Sequence, residues 1–237
     1  TLDDALRAQR IVKSEEEIRK ICDAQAITDA TFEHILPYIR EGVTEREIAL
    51  EIEFYMRKLG ADGNAFDPIV VTGGNGSQCH GIPGDTVIKK GDFITMDTGA
   101  MLRGYHSDMT RTVALGYVSD EQKAVYDTVL KAQLAAIDAA HAGVCCSDVD
   151  KVARDIIETP YPGTFGHGLG HGVGFEIHEW PRFSARDNTI CEPGMVITVE
   201  PGIYIAGKCG VRIEDMIVVT EDGCRNLTHS PKALMIL

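Results

Sequence analysis

With 237 residues, 44% of them hydrophobic, the chain is long enough to bury a sizeable core, and one large domain over 1–237 is expected. A formal net charge of −13 at pH 7 disfavours a nucleic-acid partner, because phosphate binding needs concentrated Lys and Arg, and is compatible with an acidic pocket for cations. No apolar run reaches the ~20 residues a membrane helix needs. The opening TLDDALRAQRIVKSEEEIRK also lacks the layout of a secretory signal, so no membrane partner and a cytoplasmic location are expected.

In chain order, the first strong signal is Ser14 with Glu17, an N-cap and its partner three residues on. The apolar spacing of Phe32, Ile35, Leu36 and Ile39 continues that helix. A second helix starts at Thr44 with Glu47 and carries Ile48, Ile52, Met56 and Leu59 on one face. QCHGIPGD then forms a Gly and Pro loop holding His80, for which a structural and a functional role stay equally open.

GDFITMDTGA (91 to 100) reads as a strand whose alternation puts Phe93, Thr95 and Asp97 on one face and Ile94 and Met96 on the other. If Leu102 and Arg103 form the turn, Asp108 comes to lie directly opposite Asp97. Two further helices follow, from Ser119 with Gln122 and, more weakly signalled, from Ser147 with Asp150; the latter spaces Val149, Val152, Ala153 and Ile156 along one face. Next comes TFGHGLGHGVGFEIHEWPRF, in which His167, His171 and His178 stand among five glycines. Glycines at that density suggest a backbone that approaches a ligand closely. One imidazole of the three would complete a metal set and the others would polarise a carbonyl.

The last strand-rich stretch repeats the first. GMVITVEPGI (194 to 203) aligns with GDFITMDTGA so that Glu200 falls on Asp97, and GVRIEDM from Gly210 aligns with GYHSDMT from Gly104 so that Glu214 falls on Asp108. A turn around Gly207 would set Glu200 opposite Glu214. The sequence therefore predicts two related halves, about 14–118 and 119–237. Opposed side chains on a sheet have Cβ atoms about 4.5 to 5.5 Å apart, where like charges repel. Four carboxylates gathered by two hairpins call for something positive between them, and a pair of divalent ions is the simplest solution. The seven cysteines are odd in number and contain no CxxC, and read as reduced thiols.

Taken together, HGLGHGVG with HEWP, DTGA with GYHSDMTRT, and VEPGIYI with GVRIED resemble the pita-bread metallopeptidases, and most closely their Xaa-Pro branch of aminopeptidase P and prolidase. The resemblance covers nearly the whole chain. It implies an α+β fold in which two pseudo-symmetric halves form a curved antiparallel sheet backed by helices. It further implies metal ligation by Asp97, Asp108, His171, Glu200 and Glu214, with two divalent ions bound, most simply manganese, with cobalt, zinc or iron as alternatives.

Glu200 would also shuttle the proton, and His178 would stabilise the oxyanion. His80 and His167 match positions that line the substrate site, with His80 also a catalytic candidate. Arg212 matches a position that orients Glu214 or meets a substrate carboxylate. The implied reaction is hydrolysis of an N-terminal Xaa-Pro bond in short peptides by attack of a metal-bridging hydroxide, by a metallo-exopeptidase. A homodimer is compatible with the family, whose usual N-terminal domain is expected to be missing here.

Three other readings belong to the same fold. Methionine aminopeptidase fits the short length and CHGIPGD, but its usual Asn-Glu-Val-Val lead-in is absent from GGNGSQCHGIP. A metal-free creatinase-like hydrolase and a non-catalytic binding protein are both disfavoured by the complete set of ligand positions.

Overall fold

The computed structural model describes the backbone of residues 2–237 and the side chains from residue 6 onward. Its first half contains α1 (Leu2–Ile11), α2 (Glu15–Ile35), α3 (Glu45–Lys58), β1 (Gly63–Asn64), β2 (Ile69–Thr72), β3 (Phe93–Thr98), β4 (Ala100–Leu102), β5 (Tyr105–His106) and β6 (Met109–Ala114). The second half contains α4 (Asp120–Ala139), α5 (Cys146–Glu158), β7 (Gly170–Gly172), β8 (Glu179–Phe183), β9 (Val196–Val199), β10 (Gly202–Ile205), β11 (Cys209–Arg212), β12 (Asp215–Val219) and β13 (Cys224–Asn226). Among the described residues, no helix is long and apolar enough to cross a membrane.

The capping boxes expected at Ser14–Glu17, Thr44–Glu47 and Ser119–Gln122 are all formed, and start α2, α3 and α4. The helix expected from Ser147, α5, begins earlier than that residue predicts. Cys145 is its N-cap and makes no side-chain cap bond. The reason is that Cys146 and Ser147 donate their free amides to the carbonyls of Thr189 and Asp187, which satisfies the helix start from outside. Leu59 also departs from expectation: it caps the end of α3 and is exposed, whereas Ile48, Ile52 and Met56 are buried.

The strands form antiparallel ladders, β2-β3-β6 in the first half and β13-β12-β9-β7-β8 in the second, with smaller sheets β1-β4-β5 and β10-β11. In the first hairpin the turn is Arg103–Gly104, at φ 52 and 79, and not Leu102–Arg103. Both turn residues are left-handed, the backbone a two-residue hairpin loop requires. The register moves by two residues, so Asp97 faces Thr110 and Asp108 lies just beyond the ladder. Because the shift is even, both acids keep the same face. The second hairpin follows its expected register: Gly202 pairs with Arg212 and Val199 with Asp215, which sets Glu200 across from Glu214.

Helices α2 and α3 cover one face of the first sheet, where Ile35, Ile48, Ile52 and Met56 meet Ile94, Met96 and Val113. Helices α4 and α5 cover the second, with Val125, Val129 and Ala153 against Ile197, Val199 and Ile217. Each such fully buried Val, Ile or Met side chain contributes about 1.5 to 3 kcal/mol. The opposite faces, with their polar ends, turn toward each other.

The halves are joined by exchanging hairpin tips. From the first, His106 donates its backbone amide to the Gly174 carbonyl. From the second, β11 crosses onto the first sheet, where the Thr95 hydroxyl donates to the Gly210 carbonyl and Thr112 exchanges bonds with both the amide and the carbonyl of Arg212. Gly210 permits this crossing, since a Cβ there would stand 1.7 Å from the Gly76 carbonyl oxygen.

Candidate metal centre and substrate cavity

Where the two inner faces meet, a cavity of about 560 Å³ is lined by Asp97, Asp108, His171, Glu200 and Glu214 together with His80, His167, His178 and Arg182. Asp97 comes from the end of β3 and Glu200 from the residue after β9; Asp108 and Glu214 each precede the returning strand of their hairpin, and His171 sits in the middle of β7. All the acids that the sequence pairs thus converge on one space. Ligand atoms of Asp108, His171 and Glu214 lie within 4.8 Å of one another, and His171 Nε2 is 3.4 Å from both Asp108 Oδ2 and Glu200 Oε1.

The hydrogen bonds around these acids leave one side of each bare. Asp97 Oδ2 accepts from Arg212 Nη2 at 2.6 Å and Glu214 Oε2 from the Thr110 hydroxyl at 2.6 Å, while Asp97 Oδ1 and Glu214 Oε1 are buried without a partner. Glu200 Oε1 accepts from the Thr198 hydroxyl at 3.0 Å. His171 Nδ1 is 3.1 Å from the Gly172 carbonyl oxygen. An N–H donated there leaves the Nε2 lone pair facing the carboxylates.

Electrostatics says the same. Burial, with Asp97 adding to it against the opposing charge of Arg212, pushes the Glu200 carboxyl up to about 7. Burial and the neighbouring carboxylates also raise Asp108 and Glu214 well above their usual range. Burial and then His178 push His171 down to about 3, so its imidazole is neutral. A neutral imidazole and crowded carboxylates with orphaned oxygens make an unfavourable site on their own and a good one for a divalent cation.

Arg212 is buried behind the acids. Besides Asp97 it donates to the Thr110 hydroxyl from Nε and to the Tyr204 hydroxyl and Cys79 carbonyl from Nη1. Four of its five N–H groups are therefore bonded within the protein, an arrangement suited to the orienting role. It reaches Glu214 only through Thr110.

His167 is similarly tied down, with Nε2 2.9 Å from the Tyr204 hydroxyl and Nδ1 2.8 Å from the Gly168 carbonyl; burial and then Arg212 lower it to about 4. His178 stands at the cavity edge with its ring 4.4 Å from that of His171. His80 lies on an exposed part of the rim.

Several side chains here were not singled out from the sequence. Thr110 and Thr198 hold Glu214 and Glu200, Tyr204 links Arg212 to His167, and Arg182, Ser184, Phe66 and Ile69 line the cavity. Strand alternation carried a signal for the threonines, since each lies two residues from an acid. The apolar wall of Phe66 and Ile69 had none.

Residues 19–221 match metallopeptidase family M24. The chain is 44% identical over 235 residues to a Xaa-Pro dipeptidase of Pyrococcus horikoshii, covering 99% of this chain and 67% of that protein. Among solved structures, it resembles a Xaa-Pro dipeptidase from Bacillus anthracis (TM-score 0.96, 48% identity, 98% of this chain and 66% of that one). It resembles equally an X-Pro aminopeptidase from Thermotoga maritima (TM-score 0.97, 45% identity, 99% and 67%). The chain thus spans about two thirds of the length of these relatives. The match over most of its length, a shared pita-bread architecture and a pocket suited to divalent cations together establish that the chain belongs to metallopeptidase family M24.

Proposed function

We propose that this chain is the catalytic unit of a metal-dependent peptidase that cleaves the bond before a proline in second position of a short peptide. The observation that carries the reading is the convergence of Asp97, Asp108, His171, Glu200 and Glu214 on one cavity, with buried carboxylate oxygens that no protein group satisfies. These five residues would hold two divalent ions, most simply manganese. Bound there, the ions would supply a water of lowered pKa and positive charge for the developing oxyanion.

The chain's own residues supply the rest. Glu200, held by the Thr198 hydroxyl at one carboxylate oxygen, is suited to take a proton from the attacking water and return it to the proline nitrogen as the C–N bond breaks. His178, held below its usual range by burial and Arg182, is neutral at pH 7 and would donate one N–H to the oxyanion. Arg182 is a cation on the cavity wall, placed to meet a substrate carboxylate, while Phe66 and Ile69 offer apolar surface to a proline ring. His80 and His167 line the same space. The names of the relatives, Xaa-Pro dipeptidase and X-Pro aminopeptidase, support the choice of substrate. A cytoplasmic location belongs to the same reading and is supported by seven free thiols.

The test is to strip the protein of metal and titrate it with manganese, cobalt, zinc and iron while assaying Ala-Pro, Ala-Pro-Ala and Met-Ala-Ser. Turnover of the proline peptides that returns with metal is expected. Preferential release of Met from the third peptide would move the assignment to methionine aminopeptidase, and activity surviving complete chelation would refute the metal-dependent reading.

A further inference from the structure

His178 belongs to an excursion of the chain that leaves the sheet at Gly172 and rejoins it at Glu179, two residues paired across β7 and β8. Between them the backbone has no regular ladder of its own. What shapes it lies on the side away from the cavity. Glu179 Oε1 turns back into the excursion and accepts the Glu176 amide at 3.0 Å. The same carboxylate is gripped from outside by α1 and the residues that follow it: Arg10 Nη2 donates to Oε1 at 2.6 Å, and Lys13 Nζ stands 3.0 Å from Oε2.

Lys13 and Glu179 are nearly inaccessible, with side-chain exposures of 2% and 6%. The lysine backbone is itself fixed, donating to the Gly194 carbonyl beside a bridge from Val12 to Met195. Gly174 closes the packing, since a Cβ there would lie 2.9 Å from both Glu179 Oε2 and Lys13 Cε.

A buried ion pair is a poor stabiliser, because desolvating both charges costs about what their attraction returns. Apolar side chains of similar volume would pack this spot at least as well. They would not hold the Glu176 amide, and with it the path of the chain two residues before His178. We propose that the Lys13–Glu179–Arg10 cluster positions His178, fixing where its imidazole stands against the metal centre. This rests on the oxyanion role assigned to His178 above; Lys13, Arg10 and Glu179 are positioning residues and none of them lines the cavity.

The test is a double-mutant cycle between Lys13→Met and His178→Ala in the metal-loaded protein, with amide hydrogen exchange measured alongside. Lys13→Met is expected to lower kcat about tenfold to a hundredfold, the range for a catalytic group displaced by about 1 Å. KM should stay within about twofold, by the same displacement argument, and metal content should be unchanged. Lys13→Arg should restore most of the loss. In the His178→Ala background the same substitution should cost nothing further, and residues 174–178 should exchange faster while β9 and β12 do not.

Additive losses in the cycle, or faster exchange throughout the sheet, would show a general loosening and overturn the proposal. Should His178→Ala itself leave kcat unchanged, the oxyanion assignment fails and the positioning role falls with it. If Lys13→Met does not fold, Arg10→Gln applies the same comparison from a partly exposed position, and unaltered exchange in 174–178 with normal kcat would equally overturn it.

Discussion

Thr110 sits between Arg212 and Glu214, and its single proton has one place to go. Its hydroxyl accepts from Arg212 Nε at 2.9 Å and so must donate to Glu214 Oε2 at 2.6 Å. Thr198 repeats the device in the other half, accepting the His171 amide and donating to Glu200. Each hydroxyl pins one carboxylate oxygen and leaves the other for a cation. Outer groups of this kind are worth about 10- to 100-fold in metal affinity. Thr110→Val should weaken manganese binding by about that factor with an unchanged circular dichroism spectrum, and Thr110→Ser should restore it; isothermal titration of the metal-free variants decides, and equal affinities would remove Thr110 from the site. The acids themselves were legible in the sequence because two hairpins repeat them. The groups that orient them were not, since a threonine in a strand is also what sheet propensity alone would place there.

At the scale of the element, the glycine-rich strand β7 explains itself once β9 is beside it. A Cβ on Gly170 would lie 1.9 Å from the Thr198 carbonyl oxygen, and one on Gly172 2.4 Å from that of Trp180. His171 can enter the cavity only from a strand pressed this close to its neighbours. Gly170→Ala should therefore push β7 away from β9, costing about 1 to 3 kcal/mol as an overpacked core position does, and should lower metal content as His171 retreats. Urea denaturation and metal analysis measure both, and a variant with normal values for each would show the contact to be slack. The run of glycines announced a close backbone approach, although not to which strand. The first hairpin's turn was misplaced because its register was set by the opposed acids. Gly104, in the second position of a two-residue loop, was the better guide. The start of α5 escaped because its cap is made by carbonyls far along the chain, which no local pattern encodes.

For the whole molecule, the two halves were readable from their aligned acidic hairpins, whereas the exchange of hairpin tips between them was not, because it depends on backbone contacts through Gly76 and Gly210. Gathering the acids has a thermodynamic signature. In the metal-free chain Glu200 rises from 4.5 to about 7, so its contribution to stability is complete below the unfolded value and is lost as pH rises through 7, on the order of 3 kcal/mol. Asp108 and Glu214 are raised in the same sense. The metal-free protein should accordingly melt at lower temperature at pH 8 than at pH 5, and saturating manganese should abolish the fall, because cations compete with those protons. Calorimetry across that range is the check, and a metal-free chain that gains stability toward pH 8 would contradict it.

The segment 230–237 closes the first half from the far end of the sequence. Arg111 on β6 donates to the Ser230 carbonyl, and Ala114 donates its amide to the Met235 carbonyl while its own carbonyl accepts from the Leu237 amide, the pattern of a parallel bridge at Ile236. A ribosome releasing this chain from its amino end must expose the border of β6 long before the residues that cover it are made. Until then that border is a sticky, unpaired seam, and the nascent half depends on its later sibling for protection against clumping.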